Sequence, residues 1–180
     1  MAKARRPKRI TIEPPTLKRE REFLDAVRRS RRLHRRWTDP PRTADDFRAS
    51  VRRLRSARHI GHFICNSHGE LVGVININEI VRGPAQSAFL GYYAFEPHAG
   101  HGYMREGLAH IIAMAFGDYG LHRLEANIQP ENARSIQLVQ RLGFKREGFS
   151  PRYLKIGGKW RDHERWALTR EAWRRRRQSA

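Results

Sequence analysis

Apolar positions along this chain recur at two spacings, and the switch between them divides it. From Leu17 to Leu33 the spacing is helical: Leu17, Phe23, Leu24 and Val27 fall on one face among charged residues, predicting a helix over 17–33. A short extended segment around Ile10–Ile12 precedes it, closed by Pro14-Pro15. Asp39-Pro40-Pro41 ends the helix, because a residue before proline is pushed out of the helical region. Thr43 then has the character of an N-cap, with Asp45 and Asp46 favoured by the positive helix end, and Phe47, Val51 and Leu54 form the buried stripe.

Beyond this point the period becomes that of strands. His62–Asn66 and Leu71–Ile77 predict a hairpin across the turn Asn66-Ser67-His68-Gly69, and Ser87–Phe95 predicts a third strand. The loop Gly100-His101-Gly102 opens a helix over Tyr103–Phe116, with Leu108, Ile111, Ile112, Ala115 and Phe116 inward. A strand over His122–Ile128 and a helix over Asn132–Leu142 follow, with Gly143 placed as a C-cap. Phe149–Ile156 and Lys159–Leu168 predict a final hairpin across Gly157-Gly158. The order implies an α/β fold with one central, mostly antiparallel mixed sheet flanked by helices. The expected organisation is one domain over 1–180, its core about 10–170, with basic tails at both ends.

Composition narrows the classes. With 180 residues and 39% apolar residues, a chain of this size buries roughly 70% of its unfolded surface. No apolar run approaches the roughly 18 residues that a membrane helix requires, and no apolar stretch follows the basic start, so neither a membrane span nor a secretory signal is expected. The single cysteine, Cys65, excludes an internal disulfide and fits the reducing cytoplasm; in an apolar strand it is expected to be inert core. Lys+Arg is 37 against 18 Asp+Glu, a net charge of +19, which suits polyanionic surroundings such as RNA or the ribosome. Only six of those cations are Lys, and an Arg skew also arises from codon composition. The densest runs, Lys3–Arg9 and Arg174–Arg177, read equally as solvated tails and as phosphate-seeking arms.

The strand–loop–helix unit across Gly100-His101-Gly102 carries the first chemical signal. A helix N-terminus offers unpaired N–H groups and a positive dipole end, and glycine lets a ligand approach the backbone. That is an anion cradle, though a plain tight turn has the same residues. A nucleotide-triphosphate loop needs Gly-Lys-Ser/Thr, and a dinucleotide fingerprint needs a third glycine where Arg105 stands.

The second signal is the run that follows. HAGHGYMREGLAHIIAMAF followed by NIQPENARSIQLVQRLGF resembles the GCN5-related N-acetyltransferases (GNAT). FKREGFSPRYLKIGGKWRDHERWAL is similar, more narrowly, to the RimJ/RimL-type ribosomal-protein-alanine N-acetyltransferases. The resemblance covers about Glu70–Leu168 and implies the acyl-CoA N-acyltransferase fold, in which two splayed strands form the acetyl-CoA cleft. Acetyl-CoA enters as cosubstrate, with no tightly bound cofactor. The resemblance implies that backbone N–H groups of Gly100, His101, Gly102, Tyr103, Met104 and Arg105 hold its pyrophosphate. The chain departs from the family at Ala99, where Gln or Arg is frequent, and at Met104, where Gly or Ala is usual.

By the same resemblance the pantetheine arm pairs with Ala94 and Phe95, and an N–H there, that of Ala94, receives the oxyanion. Asn132 and Ser135 match the family's Asn-x-x-Ser; both are also good helix-start residues. Ser135 is the candidate to protonate the leaving thiolate, and Glu96 the candidate general base, acting through water. Tyr153 and Trp160 of the final hairpin, with Trp37 as a second wall, are candidates for the acceptor groove. His98, His101 and His110 lack the partners of a metal site, so no metal is expected.

The expected activity is acetyl transfer to a primary amine, most specifically an N-terminal alanine or serine of a ribosomal protein. A protein N-terminus titrates near 7.7–8.0 and asks less of a base than a lysine near 10.4. Two alternatives stay open: a small-molecule amine (polyamine, amino acid or antibiotic), or a non-catalytic module that binds RNA or ribosome. The sequence gives no oligomeric state.

Overall fold

The described part of the computed structural model runs from residue 9 to residue 179; of the basic start, Lys3–Lys8 lie outside it. Ile10–Glu13 forms strand β1. The predicted helix over 17–33 is divided into a 3-10 turn (Leu17–Arg19), α1 (Glu20–Arg29) and α2 (Arg31–His34). The break falls at buried Ser30, whose hydroxyl donates to the Ala26 carbonyl (2.7 Å) and accepts from the Glu96 N–H (2.9 Å). A serine bonding its own i−4 carbonyl bends a helix, and this bend turns α2 toward the sheet. Helix α3 (Ala44–Arg53) starts at Thr43 as expected, its hydroxyl accepting from Asp46 N–H.

Strand β2 is Ile60–Asn66, β3 Leu71–Val81 and β4 Ser87–Ala94; helix α4 is Tyr103–Phe116, β5 Arg123–Ile128 and α5 Ala133–Leu142. Strand β6 is Lys145–Ile156, β7 Lys159–Thr169 and α6 Arg170–Gln178. Two strand boundaries move from expectation. Strand β3 continues to Val81, and β6 starts at Lys145 rather than Phe149, where polar side chains face solvent and only backbone pairing defines the strand. The basic run Arg174–Arg177 is no tail: it lies in α6, capped by Thr169 and seated by Trp173 on Phe116 (ring centroids 5.5 Å). One aromatic anchor among charges leaves no helical stripe for the sequence to display.

The sheet order is β1-β2-β3-β4-β5-β7-β6, antiparallel except for β4–β5. Two cores flank it. One packs α4 and α5 against one face, through Leu108, Ile111, Ile112 and Val139. The other packs α1 and α3 on the opposite face, through Phe23, Val27, Phe47 and Val51 against Phe63, Val74 and Phe95. Cys65 is fully buried there, and burial pushes its thiol up to about 11, so it is not a thiolate at neutral pH. No helix of the described residues is long and apolar enough to cross a membrane.

Three buried histidines make stability pH-dependent. His62 bridges the Ile75 carbonyl and the Tyr119 hydroxyl (3.2 and 3.0 Å). Burial lowers the pKa of His34, His62 and His163 below the ordinary 6.5, so folding favours the neutral rings. Their contribution is complete above about pH 6.5, and it is lost as pH falls through that value, because the unfolded chain takes up the protons first. The lowered carboxylates Glu70, Glu147 and Glu171 act in a lower window, below 4.5. Melting temperature is expected to fall between pH 7.5 and pH 5, and His62→Gln to flatten part of that slope. A melting temperature constant over this range contradicts the assignment.

Candidate active site

Strands β4 and β5 pair over only three positions, Ser87↔Arg123, Ala88↔Leu124 and Phe89↔Glu125. Beyond Phe89 the strands separate. On its other edge β4 stays paired to β3 through Ala94, and the Phe95 N–H continues onto the Val72 carbonyl (2.9 Å). In an antiparallel ladder successive residues point their N–H and C=O groups to opposite sides. Phe95 and Tyr93 therefore face β3, whereas Tyr92 and Ala94 face the opening. The result is a V-shaped cleft, lined on one arm by backbone groups with no strand to receive them.

Helix α4 begins at one side of the cleft. Its cap, Gly102, has φ 85°, as does Gly100, a left-handed conformation that glycine adopts without strain. No side chain caps this helix start, and nothing lies within 4 Å of where a Cβ would stand on either glycine. The first N–H groups of Tyr103, Met104 and Arg105 are thus presented to open space with the positive end of the dipole. Arg9 adds a cation: its guanidinium donates to the His101 carbonyl (2.9 Å) and lies over the Tyr103 ring (5.0 Å). The sequence reading had merged Arg9 into the basic start. Met104, the departure from the family pattern, is accommodated by Gly73 of β3, where a Cβ would lie 2.4 Å from the Met104 sulfur.

At the apex, the Ser135 hydroxyl and the Tyr92 hydroxyl are 2.6 Å apart, joining β4 to the first turn of α5. Burial pushes Tyr92 up to about 12, so its hydroxyl keeps its proton across the neutral range. Asn132 is the N-cap of α5, its side-chain oxygen accepting the Ser135 N–H (3.2 Å). Tyr92 is absent from the sequence-based list. Strand alternation places it on the α5 face, but only the splay shows that it meets Ser135.

The opposite face of the cleft is closed by the turn after α2. His34 Nε2 donates to the Ala94 carbonyl (2.7 Å), taking the place of a strand partner. Gln129, just past β5, donates to the Arg36 carbonyl (2.8 Å). His34 stacks edge-on against Tyr93 and Phe95, and its Nδ1 is buried without a partner. Neither His34 nor Gln129 carries a motif that singles it out in sequence. Glu96 follows directly, half-buried, its N–H on Ser30 and its carbonyl on Arg29 Nε (3.4 Å).

The expected groove residues are only partly gathered. Trp37 sits half-buried in the closing turn with the Arg36 guanidinium over its ring (5.3 Å). The β6–β7 tip reaches that turn through the Gly157 N–H on Asp39 (3.2 Å). Tyr153 packs on the buried His163 ring (6.2 Å), whereas Trp160 is 60% exposed, beyond any wall. The arrangement can hold an anion at α4, order an extended ligand along β4, and offer hydroxyl protons at the apex.

The acetyltransferase (GNAT) domain family matches residues 9–145. Among similar proteins, the [ribosomal protein uS5]-alanine N-acetyltransferase of Escherichia coli (strain K12) is 41% identical over 104 residues, 58% of this chain and 54% of that protein. The chain spans little more than half the length of the curated relatives it matches first. Mycobacterium smegmatis RimJ, solved in complex with CoA-disulfide, superposes with TM-score 0.84 at 26% identity, covering 94% of this chain and 88% of that one. The ribosomal-protein-S5-alanine acetyltransferase of Vibrio fischeri shares the fold at TM-score 0.81 and 22% identity, over 92% and 96% of the two chains.

The Ser30 clip gives the geometry its test. Ser30→Ala removes both bonds of the hydroxyl and leaves the Glu96 N–H unpaired. The expected loss is about 1–3 kcal/mol of unfolding free energy, read from urea denaturation. An unchanged midpoint contradicts the clip.

Proposed function

The chain belongs to the GNAT acetyltransferase family, and from that premise we propose that it transfers an acetyl group from acetyl-coenzyme A directly to the N-terminal amine of a protein beginning with alanine or serine. The observation that carries the reading is the cleft itself. It has an uncapped helix start at one end, a free backbone edge along β4, and the paired Tyr92 and Ser135 hydroxyls at its apex. Those three features match the three parts of the donor: an anionic pyrophosphate, an amide-bearing pantetheine and a thioester.

The pyrophosphate lies on the N–H groups of Gly100–Arg105 with Arg9 beside it. The pantetheine amides pair with the open edge of β4 at Tyr92 and Ala94; Phe95, expected to share in this, is turned away, its N–H on the Val72 carbonyl and its own carbonyl accepting from His98 N–H. The Ala94 N–H donates to the oxygen of the thioester carbonyl as charge develops there. His34 serves this step indirectly, since its hold on the Ala94 carbonyl fixes that peptide segment. The amine attacks as a neutral nucleophile; a carbon–nitrogen bond forms, the carbon–sulfur bond breaks, and coenzyme A leaves as thiolate. Glu96 collects the amine's proton through water, a modest demand for an N-terminus titrating near 7.7–8.0.

The apex hydroxyls then act differently from a proton source. A tyrosine near 12 does not surrender its proton to a thiolate whose conjugate acid is near 8.5. The pair instead donates one hydrogen bond to the leaving sulfur, the other hydroxyl proton joining Tyr92 to Ser135; the proton that Glu96 takes from the amine balances the step as coenzyme A departs as thiolate. Asn132 orients Ser135 by capping α5, and its amide N–H₂ remains available to the donor. On the acceptor side, Trp37 and Tyr153 flank the entry. The Escherichia coli relative is named for an alanine of ribosomal protein uS5, which supports an N-terminal alanine over other amines.

Acetyl-coenzyme A at a hundredfold excess over its Kd is expected to stabilise the fold by about 2.7 kcal/mol. Peptides beginning Ala or Ser are expected to release thiol, and a Lys peptide with blocked N-terminus to release none. Tyr92→Phe and Ser135→Ala each lower kcat by about 10- to 100-fold, the worth of one hydrogen bond to a charged group, with acetyl-coenzyme A affinity retained. Gly73→Ala displaces Met104 and raises the acetyl-coenzyme A Kd while sparing kcat. Absence of donor-induced stabilisation overturns the reading at its first step, and turnover confined to the Lys peptide overturns the acceptor.

A further inference from the structure

The arginines of this molecule are spread along the chain, and part of them hold carboxylates while others stand in groups without one. Arg19, Arg48, Arg58 and Arg146 each hold a carboxylate within 3.1 Å. Between residues 28 and 42, seven arginines stand against one acid, Asp39. Arg28 turns away to Asp25, Arg42 pairs with Asp39, and Arg29 donates to the Glu96 carbonyl. Arg31, Arg32, Arg35 and Arg36 enter no ion pair among the described residues.

This segment is the one that closes the cleft opposite α4. It is pinned to β4 through His34 and to the end of β5 through the Arg36 carbonyl. Arg31, Arg32, Arg35 and Arg42 line a recess of about 370 Å³ whose wall includes His34 and Val27. The recess and the closing face of the cleft therefore share His34, which holds the Ala94 carbonyl. A donor whose phosphates lie at α4 fills the other face, so an amine reaches the thioester from the α2 side. Guanidinium groups crowded around one recess repel one another, and each gains from a carboxylate that its planar fork grips with two hydrogen bonds.

We propose that this recess selects the acceptor by charge: it receives the carboxylates of an N-terminal segment carrying Asp or Glu directly behind the residue that is acetylated. The inference rests on the N-terminal reading above and adds the substrate class. In an extended acceptor the second to fourth residues lie about 4–11 Å from the first. The same field disfavours polyamines and lysine-rich N-termini, which must bring positive charge to a positive mouth.

The test compares three acceptor peptides that share an N-terminal Ala and differ at positions two to four: acidic, neutral or basic. At low salt the acidic peptide is expected to have a KM about tenfold below the neutral one, with the basic peptide weakest. At 0.5 M salt the three converge, since screening at that strength shortens the reach of exposed charges to a few ångströms. The triple variant Arg31→Gln/Arg32→Gln/Arg35→Gln, at exposed positions, is expected to abolish the acidic preference. Its kcat on the neutral peptide and its acetyl-coenzyme A affinity stay as in the parent. Equal KM values, or a preference for the basic peptide, overturn the proposal. The neutral peptide alone reports on N-terminal acetylation. If no peptide turns over, that reading fails separately, and fluorescence anisotropy of C-terminally labelled peptides on the coenzyme A-bound protein still decides the charge preference. Binding of poly(U) that the triple variant loses, with acidic and neutral peptides bound alike, overturns the proposal in favour of a nucleic-acid surface.

Discussion

The hydrogen-bond ladder between β4 and β5 stops after Phe89 and Glu125, and the rest of the architecture serves that interruption. An unpaired strand edge inside a sheet costs free energy unless its polar groups find partners. Here the carbonyl of Ala94 is bonded by His34 from a neighbouring helix, not by a strand. The break at Ser30 divides α1 from α2, the short helix that carries His34. Gln129, just past β5, ties the same closing turn to the other arm through the Arg36 carbonyl. The cleft is thus bridged by side chains, while away from it β4 stays paired to β3 and β5 to β7.

Its two mouths are electrostatically distinct. At α4 the positive field comes from backbone N–H groups and one arginine, and side chains are removed by Gly100 and Gly102. On the other face the positive field comes from exposed side chains, Arg31, Arg32 and Arg35, around a recess. Backbone cradles suit a fixed diphosphate, whereas long exposed side chains suit a variable peptide. At the apex Tyr92 keeps its proton, and beside it burial favours the uncharged form of His34. A neutral apex lets charge that develops during transfer meet oriented dipoles instead of fixed ions.

Much of this was legible in the sequence. The α4 and α5 boundaries, the caps Thr43, Asn132 and Gly143, and the glycine loop all follow from periodicity and capping chemistry. The glycine-loop side of the cleft, the proposed donor side, was legible because it lies in a contiguous motif. The acceptor side was not, because it is assembled from distant residues: Ser30 on Glu96, His34 on Ala94, Gln129 on Arg36. Each of these is an ordinary polar residue whose meaning lies in its partner. Tyr92 was hidden differently, as one aromatic in a strand of apolar residues. Helix α6 escaped because Trp173 alone anchors it, and Trp160 was read as a wall although it projects into solvent.

The most direct test of the account is amide hydrogen exchange, resolved by residue, with and without acetyl-coenzyme A. The free protein is expected to exchange rapidly at Ala94 and Tyr92 and slowly at Tyr93 and Phe95, because only the latter two face β3. With acetyl-coenzyme A, Ala94 and the amides of Gly102–Arg105 become protected. Slow exchange at Ala94 in the free protein, or no added protection there when the donor is bound, contradicts the claim that the open edge of β4 is the donor site.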